Sequence, residues 1–305
     1  MSFTSGLKSI IGIIMLFALF AFLPTISKHL KDFYQTYLDP KPSVAVITIK
    51  GVLYDSSDYT RYLHKYFKDD DIKAIVLKIE CPGSAAGTGQ AIFNEILTLK
   101  KKHPKPIITL VENMCASGGY YIACATDHII ASSAAIVGSI GTCIPYLFQF
   151  KKFMDEHHID YVSLKSGAYK TATDPFTTAT PEEKAMLQEL LDDTYEQFTR
   201  DVARQRTVAM NDRDSWANGK IFTGSQALAL GLIDEVGAVS AALAVIQEKA
   251  LIENMKDVRW VKPPKKTGLY AWLDDSSDKE GLFSHLLGSV CTFLEQRYSS
   301  SALRT

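Results

Sequence analysis

Apolar and polar positions along the chain first separate one long uncharged run from a series of short ones. Residues 9–27, SIIGIIMLFALFAFLPTIS, contain no charged side chain. As a helix rising ~1.5 Å per residue they would reach roughly 28 Å, close to the ~30 Å hydrocarbon core of a bilayer. The run predicts a transmembrane anchor over 9–27, with 1–8 as its flank and a polar tether over 28–42. A cleaved secretory signal is the competing reading, but FALFAFLP offers no clean small-x-small cleavage site. Lys8 stands on one side of the run and Lys28, His29 and Lys31 on the other, a basic-residue balance that puts the C-terminal domain in the cytoplasm.

Beyond the tether the pattern alternates between two periods. SVAVITIKG is β-branched and apolar, as a buried strand is. Tyr59, Tyr62, Leu63, Tyr66 and Phe67 then recur at helical spacing behind Asp55 and Ser56, either of which can cap. IKAIVLKIE reads as a second strand, GTGQAIFNEILTLKKK as a helix, PIITLVE as a third strand, and the small-residue segment after Ser117 as another helix. Strands alternating with helices predict an α/β fold with a mostly parallel sheet covered on both faces. Ligands bind at the carboxyl ends of such strands. The domain runs over 43–250. From Leu251 the chain turns polar and Pro-rich, and an apolar helical pattern at Leu282, Leu286, Val290, Phe293 and Leu294 predicts a helix over 281–298 within an extension, 251–305, read first as docking on a neighbouring subunit, with a groove-occupying tail and a membrane-surface helix as the alternatives.

Composition narrows the function classes. With 305 residues, 47% hydrophobic and 22% charged, the chain is globular, and its length suits one large domain or two small ones. A net charge of −1 leaves no electrostatic footprint for nucleic acid. The five cysteines, Cys81, Cys115, Cys124, Cys143 and Cys291, show neither zinc-site pairing nor disulfide density and read as small core residues. Cys115 paired with His128 is the one cysteine-nucleophile alternative.

The candidate chemistry lies at two strand ends. The second strand breaks at Cys81-Pro82-Gly83-Ser84, the third at Ala116-Ser117-Gly118-Gly119. A strand entering a helix through such a turn holds a nucleophile at the positive end of the helix dipole. If the strands are neighbours, amides of Gly83 and Gly118 could face one oxygen beside the Ser117 hydroxyl, forming an oxyanion hole. Ordinary turns and close helix-strand contacts would use the same glycines. No histidine is an evident base. His29 lies in the tether, His64 on a polar helix face, His103 in a loop, His285 in the tail, His157–His158 in a helical segment before a strand, and His128 at a strand edge. A lysine can serve where its neutral form is favoured. Lys170, flanked by Ala168, Tyr169, Thr171 and Ala172, is the candidate, with Lys165 as a neighbouring decoy.

These residues resemble the signal peptide peptidase A type of membrane-bound serine peptidases, peptidase family S49, which share the ClpP/crotonase fold. The resemblance covers roughly 43–239 and is carried by five ordered motifs: AIVLKIECPG, ASGGYYIA, AIVGSIGT, LKSGAYKTATDPF and GKIFTGSQALALGLIDEVG. It implies Ser117 as nucleophile, Lys170 as general base, Ser139 as the serine that orients the lysine amine, and Gly83 and Gly118 as oxyanion amides. It also implies a substrate lying as an extended strand along Gly83, Ser84 and Ala85, with no metal or organic cofactor. Substrates would be peptides such as signal-peptide remnants, and the partners a lipid bilayer at 9–27 and further copies of the chain in a homo-oligomeric ring. The catalytic domain would face the extracytoplasmic side of the cell membrane, against the basic-residue balance. One departure stands out: Ser84 occupies the place of the family's second loop glycine, where a side chain would alter the groove. Two rival readings remain: a catalytically silent scaffold that binds peptides, and crotonase-like acyl-CoA chemistry using Glu80 or Glu112.

Overall fold

A computed structural model describes residues 41–144 and 147–264, together with positions 22, 23, 26, 27 and 30. The uncharged run 9–27 lies almost wholly outside them, as do most of the tether and all of 281–298. Among the described residues no helix is long and apolar enough to cross a membrane. The chain divides into two compact units, 1–262 and 263–305. The fold below is that of the first.

The β-branched run forms β1 (Ser43–Lys50), and the tyrosine-rich stretch forms α1 (Ser57–Lys68). Ser56 stands at the N-cap position, but Asp55 accepts the hydrogen bond there, from Ser57 N–H at 3.0 Å. Then follow β2 (Ile72–Cys81), α2 (Ala86–Lys102), β3 (Ile107–Ala116), α3 (Gly118–Cys124), β4 (His128–Ala131) and β5 (Ile136–Gly138). An arm holds the short α4 (Lys151–Glu156) and the turns before α5 (Pro181–Gln205). A capping box starts α5: Glu183 N–H donates to Thr180 Oγ1 at 3.1 Å while Thr180 N–H donates to Glu183 Oε2 at 2.9 Å, with Pro181 at the first helical position. The chain closes through α6 (Arg213–Trp216), β6 (Ile221–Thr223), α7 (Gly224–Ala229), β7 (Glu235–Val236), α8 (Val239–Lys249) and β8 (Arg259–Val261).

The strands lie in the order β6-β5-β3-β2-β1-β8, with β4 between β3 and β7; all pair in parallel except β5 with β6. The edge strand β8 comes from residues that composition assigns to the C-terminal extension, and it gives the open side of β1 a partner. β3 is shared between two neighbours. Its first half pairs with β4 (Ile108↔His128) and its last residues with β5 (Ala116↔Gly138).

Alternate residues of each strand enter two cores. Ala45, Ile47, Ile49, Ile75, Leu77, Ile79 and Val111 pack with α1, α2 and α3, whereas Val44, Val76, Ile108 and Leu110 pack with α8. The first core is the larger and buries Tyr66, Phe67, Phe93 and Tyr120 almost completely. The second face is only half covered. Toward the carboxyl ends of the strands it turns polar, carrying exposed Thr48 and Lys50 and the Lys78–Glu112 ion pair of 2.7 Å.

The sequence predicts a strand after His157–His158, and none forms there: residues 159–165 pair with no strand, and Val162 and Leu164 are 80% and 93% exposed. A strand needs a neighbour to satisfy its ladder, and among the described residues none is beside it.

Candidate active site

The Ser117 turn is built by register. Ala116 ends β3 opposite Gly138, and Ser117 N–H donates to Gly138 C=O at 2.7 Å. Ser117 takes φ 51° and ψ −124°, a conformation that L-residues rarely adopt and that the surrounding structure must enforce. Its carbonyl then accepts from Tyr121 N–H at 2.9 Å, starting α3, all of whose residues are buried. The serine therefore sits at the sharp junction of strand and helix, its side chain half-buried.

The two glycines after it are explained by close approach. A Cβ on Gly118 would lie 1.9 Å from Ser84 Oγ and 2.8 Å from Ser84 N. One on Gly119 would meet Cys81 O at 2.9 Å and Cys81 Sγ at 3.1 Å. The loop between β2 and α2 is thus pressed onto the N-terminus of α3. Gly83 completes the contact, since a Cβ there would stand 3.4 Å from Ser117 Cβ and 3.6 Å from Ser117 Oγ. The structure brings Gly83, Ser84, Ser117 and Gly118 into one cluster.

Ser84 behaves otherwise than its sequence position suggests. Its side chain is wedged between Gly118 and Gly89, where a Cβ on Gly89 would lie 2.6 Å from Ser84 Oγ, and its hydroxyl donates to Ala85 C=O at 2.9 Å. The extra side chain is taken up by the two glycines beneath it. The loop backbone is likewise engaged: Leu53 N–H donates to Gly83 C=O at 3.1 Å and Ala85 N–H donates to Leu53 C=O at 2.8 Å. Leu53 thereby occupies one edge of the Gly83–Ala85 strand, a pairing between distant segments that no local pattern announces.

Ser139 emerges beside Ser117. It follows Gly138 at the end of β5, has φ 52°, and its N–H donates to Lys220 C=O at 2.7 Å. Lys170 lies in the turns after residue 165; its side chain is exposed, and its N–H donates to Gly167 C=O at 3.3 Å. Among the described residues no hydrogen bond joins the side chains of Ser117, Ser139 and Lys170. Lys165 is tied down, donating to Thr171 Oγ1 at 2.8 Å and standing 3.5 Å from the buried Glu183 carboxylate. That brace closes the turn that displays Lys170.

Register removes the histidine and cysteine alternatives. His128 pairs with Ile108 near the start of β3, which at about 3.3 Å per residue is roughly 25–30 Å from Ser117. Its Nε2 faces Glu235 Oε2 at 3.5 Å. Cys115 is fully buried and burial pushes its thiol well above the ordinary range, which makes it inert. Cys81 and Cys124 are buried too, but Cys143 is exposed, because the chain leaves the sheet after Ile140. Cys291 lies outside the described residues. Glu80 and Glu112 occupy the strand face opposite α3; Glu80 accepts from Asn113 at 3.0 Å and Glu112 pairs with Lys78. Among the described residues no three His, Cys, Asp or Glu side chains gather as a metal site would.

α3 is anchored from behind. Tyr120 OH donates to Leu232 C=O at 2.7 Å, and Tyr121 OH donates to Asp201 Oδ2 at 2.5 Å. Burial pushes both phenols up, Tyr121 further through the Asp201 carboxylate. Arg206 forks onto Asp234 with two bonds of 2.9 Å, and Asp234 Oδ2 also accepts Ile129 N–H at 2.7 Å. Burial opposes the Asp234 charge, but the Arg206 guanidinium outweighs it and holds the carboxyl below its usual range.

Comparison with known proteins places the chain in a family. Residues 99–253 match Peptidase family S49, a stretch holding Ser117, Ser139 and Lys170. A Methanocaldococcus jannaschii protein assigned as a protease is 34% identical over 206 residues, 68% of this chain and 65% of that protein. An Enterococcus faecium protein assigned as the signal peptide peptidase SppA is 31% identical, covering 66% of this chain and 58% of its own length. Protease 4 of Haemophilus influenzae is 31% identical over 240 residues, 75% of this chain but 38% of its own length. The chain thus spans less than two thirds of each of these relatives.

Proposed function

Since this chain belongs to peptidase family S49, we propose that it is a membrane-anchored serine endopeptidase in which Ser117 and Lys170 form a catalytic dyad. The observation that carries the reading is the Ser117 turn: a strained, half-buried hydroxyl at a helix N-terminus with Gly83 beside it. Ser117 Oγ attacks the scissile carbonyl while the neutral Lys170 amine takes its proton. Amides of Gly83 and Gly118 receive the developing oxyanion. Lys170 then protonates the leaving amine, and water, deprotonated by the same lysine, hydrolyses the acyl-enzyme. Ser139, leaving the strand next to that of Ser117, orients the lysine amine.

Two adjustments follow from the geometry. Leu53 already pairs with one edge of the Gly83–Ala85 strand, so an extended substrate meets this loop through the N–H and C=O of Ser84, which point away from Leu53. Lys170 has to leave solvent to reach Ser117. The exposed apolar side chains of its arm, Val162 and Leu164 above all, support an arm that further copies of the chain cover in a ring, pressing the lysine turn inward. Substrates would be short apolar peptides such as signal-peptide remnants, reached on the extracytoplasmic side from an anchor at 9–27.

The exposure of Lys170 favours one second reading, a catalytically silent scaffold that binds peptides. Acyl-CoA chemistry fares worse, because Glu80 and Glu112 lie on the other face of the sheet. Fluorophosphonate labelling of the purified full chain separates these. The dyad requires labelling that disappears in Ser117→Ala and slows by about 10²–10⁴ in Lys170→Ala. An unlabelled wild type points to the scaffold.

A further inference from the structure

We propose that Cys81 is a positioning residue for the oxyanion loop, acting through its thiol on the Gly83 peptide; the inference rests on the serine-peptidase reading. The Cys81 S–H donates to Gly83 C=O at 3.1 Å, across Pro82. The same carbonyl accepts from Leu53 N–H, also at 3.1 Å. Two donors from different directions hold the Gly83–Ser84 peptide plane against rotation, while the Pro82 ring restricts the backbone on the other side of Gly83. The N–H of Gly83 belongs to the preceding Pro82–Gly83 peptide, so with the carbonyl anchored and the Pro82 φ fixed its swing is limited to rotation about the Pro82 ψ and the Gly83 φ and ψ.

The thiol also connects this loop to the nucleophile. Cys81 Sγ and Cβ rest on Gly119, 3.1 and 3.0 Å from where its Cβ would be, and Gly83 lies against the Ser117 side chain. Cys81 ends β2 paired with Cys115, just past a register irregularity after Ile79. It is fully buried, and burial pushes its thiol up, so that it stays protonated and keeps its donor. Its role is thus that of a hydrogen-bond donor and not of a nucleophile. The stated geometry asks for a small side chain with one donor, a requirement that serine also meets.

The test compares Cys81→Ala, which removes the donor, with Cys81→Ser, which restores it without the sulfur's volume. For cleavage of a quenched Ala- and Leu-rich fluorogenic peptide, Cys81→Ala should lower kcat by about tenfold with KM within about twofold. That is a fraction of the ~10²–10³ lost when an oxyanion donor is deleted outright. Cys81→Ser should stay within about threefold of wild type. Amide hydrogen exchange over residues 81–85 should rise in the alanine variant alone, a readout that needs no activity. Equal losses in both variants would assign Cys81 a packing role, and unchanged exchange in Cys81→Ala would overturn the proposal. If instead Ser117→Ala keeps its activity, the serine-peptidase reading fails, whatever Cys81 does.

Discussion

Ser117 donates its backbone N–H to the carbonyl of Gly138 at 2.7 Å, and this bond ties the candidate nucleophile to the strand that delivers Ser139. It extends the β3–β5 ladder by one step past Ala116, so the two serines leave adjacent strand ends, each with φ near +50°. Neither conformation is one an L-residue chooses unaided, and the bonds to Gly138 and Lys220 are what hold them.

Gly118→Ala tests the close approach of loop and helix. Its methyl group would overlap Ser84 Oγ, so the variant should lose at least about 2 kcal/mol of stability and its fluorophosphonate labelling. Ser84→Gly in the same chain should restore only part of this, since Ser84 N would still lie 2.8 Å from the new carbon. Thermal unfolding and labelling of the single and double variants check both.

Ser84→Gly alone should change kcat/KM by less than about threefold, because the Ser84 side chain packs between Gly89 and Gly118. Stability should fall by about 0.5–1 kcal/mol through added backbone entropy. A gain of tenfold or more toward bulky peptides would mean that the side chain restricts the groove after all.

Asp234→Asn should cost about 2–4 kcal/mol at neutral pH by leaving the Arg206 guanidinium without its carboxylate. The folded-state pKa of Asp234 is depressed, so its contribution is complete above the unfolded value of about 3.9 and fades as the pH falls through the folded one. Denaturation of wild type and variant should therefore differ from pH 7 down to about pH 4 and converge in stronger acid. A difference that grows on acidification would contradict the pairing.

Lys165 and Lys170 should separate by chemistry. Lys170→Ala removes the proposed base, whereas Lys165→Met loosens the turn by cutting the link to Thr171 and Glu183, a loss of about tenfold or less against 10²–10⁴.

Leu164→Asp tests the proposed covering of the arm by further copies of the chain. At 93% exposure the leucine makes almost no contact within its own chain, so the substitution should leave thermal stability of the fold within about 0.5 kcal/mol. Light scattering should nonetheless report a smaller particle, and labelling of Ser117 should slow. An unchanged mass would remove the reason for a ring.

Local pattern was enough for the elements nearest the site. β-branched runs placed β1, β2 and β3, helical spacing placed α1 and α2, and Ser117 followed by two glycines marked the strand-to-helix turn, because each signal is contained within a few neighbouring residues. The strand expected near residue 160 failed for the opposite reason: a ladder depends on a partner that a local pattern cannot supply.

From the sequence by itself came the α/β class, the succession of elements and the residue types able to carry acyl transfer. Only the tertiary structure decided that β3 divides its pairing between β4 and β5, which sends His128 to the far end and brings Gly138 to Ser117. It also decided that Leu53 closes one edge of the Gly83 loop, that Ser84 turns inward and that the Cys81 thiol grips Gly83. The physical reason is common to all of these. Periodicity and turn chemistry are written along a few residues of chain, whereas register, strand order and close approach arise between segments that meet only when the sheet assembles.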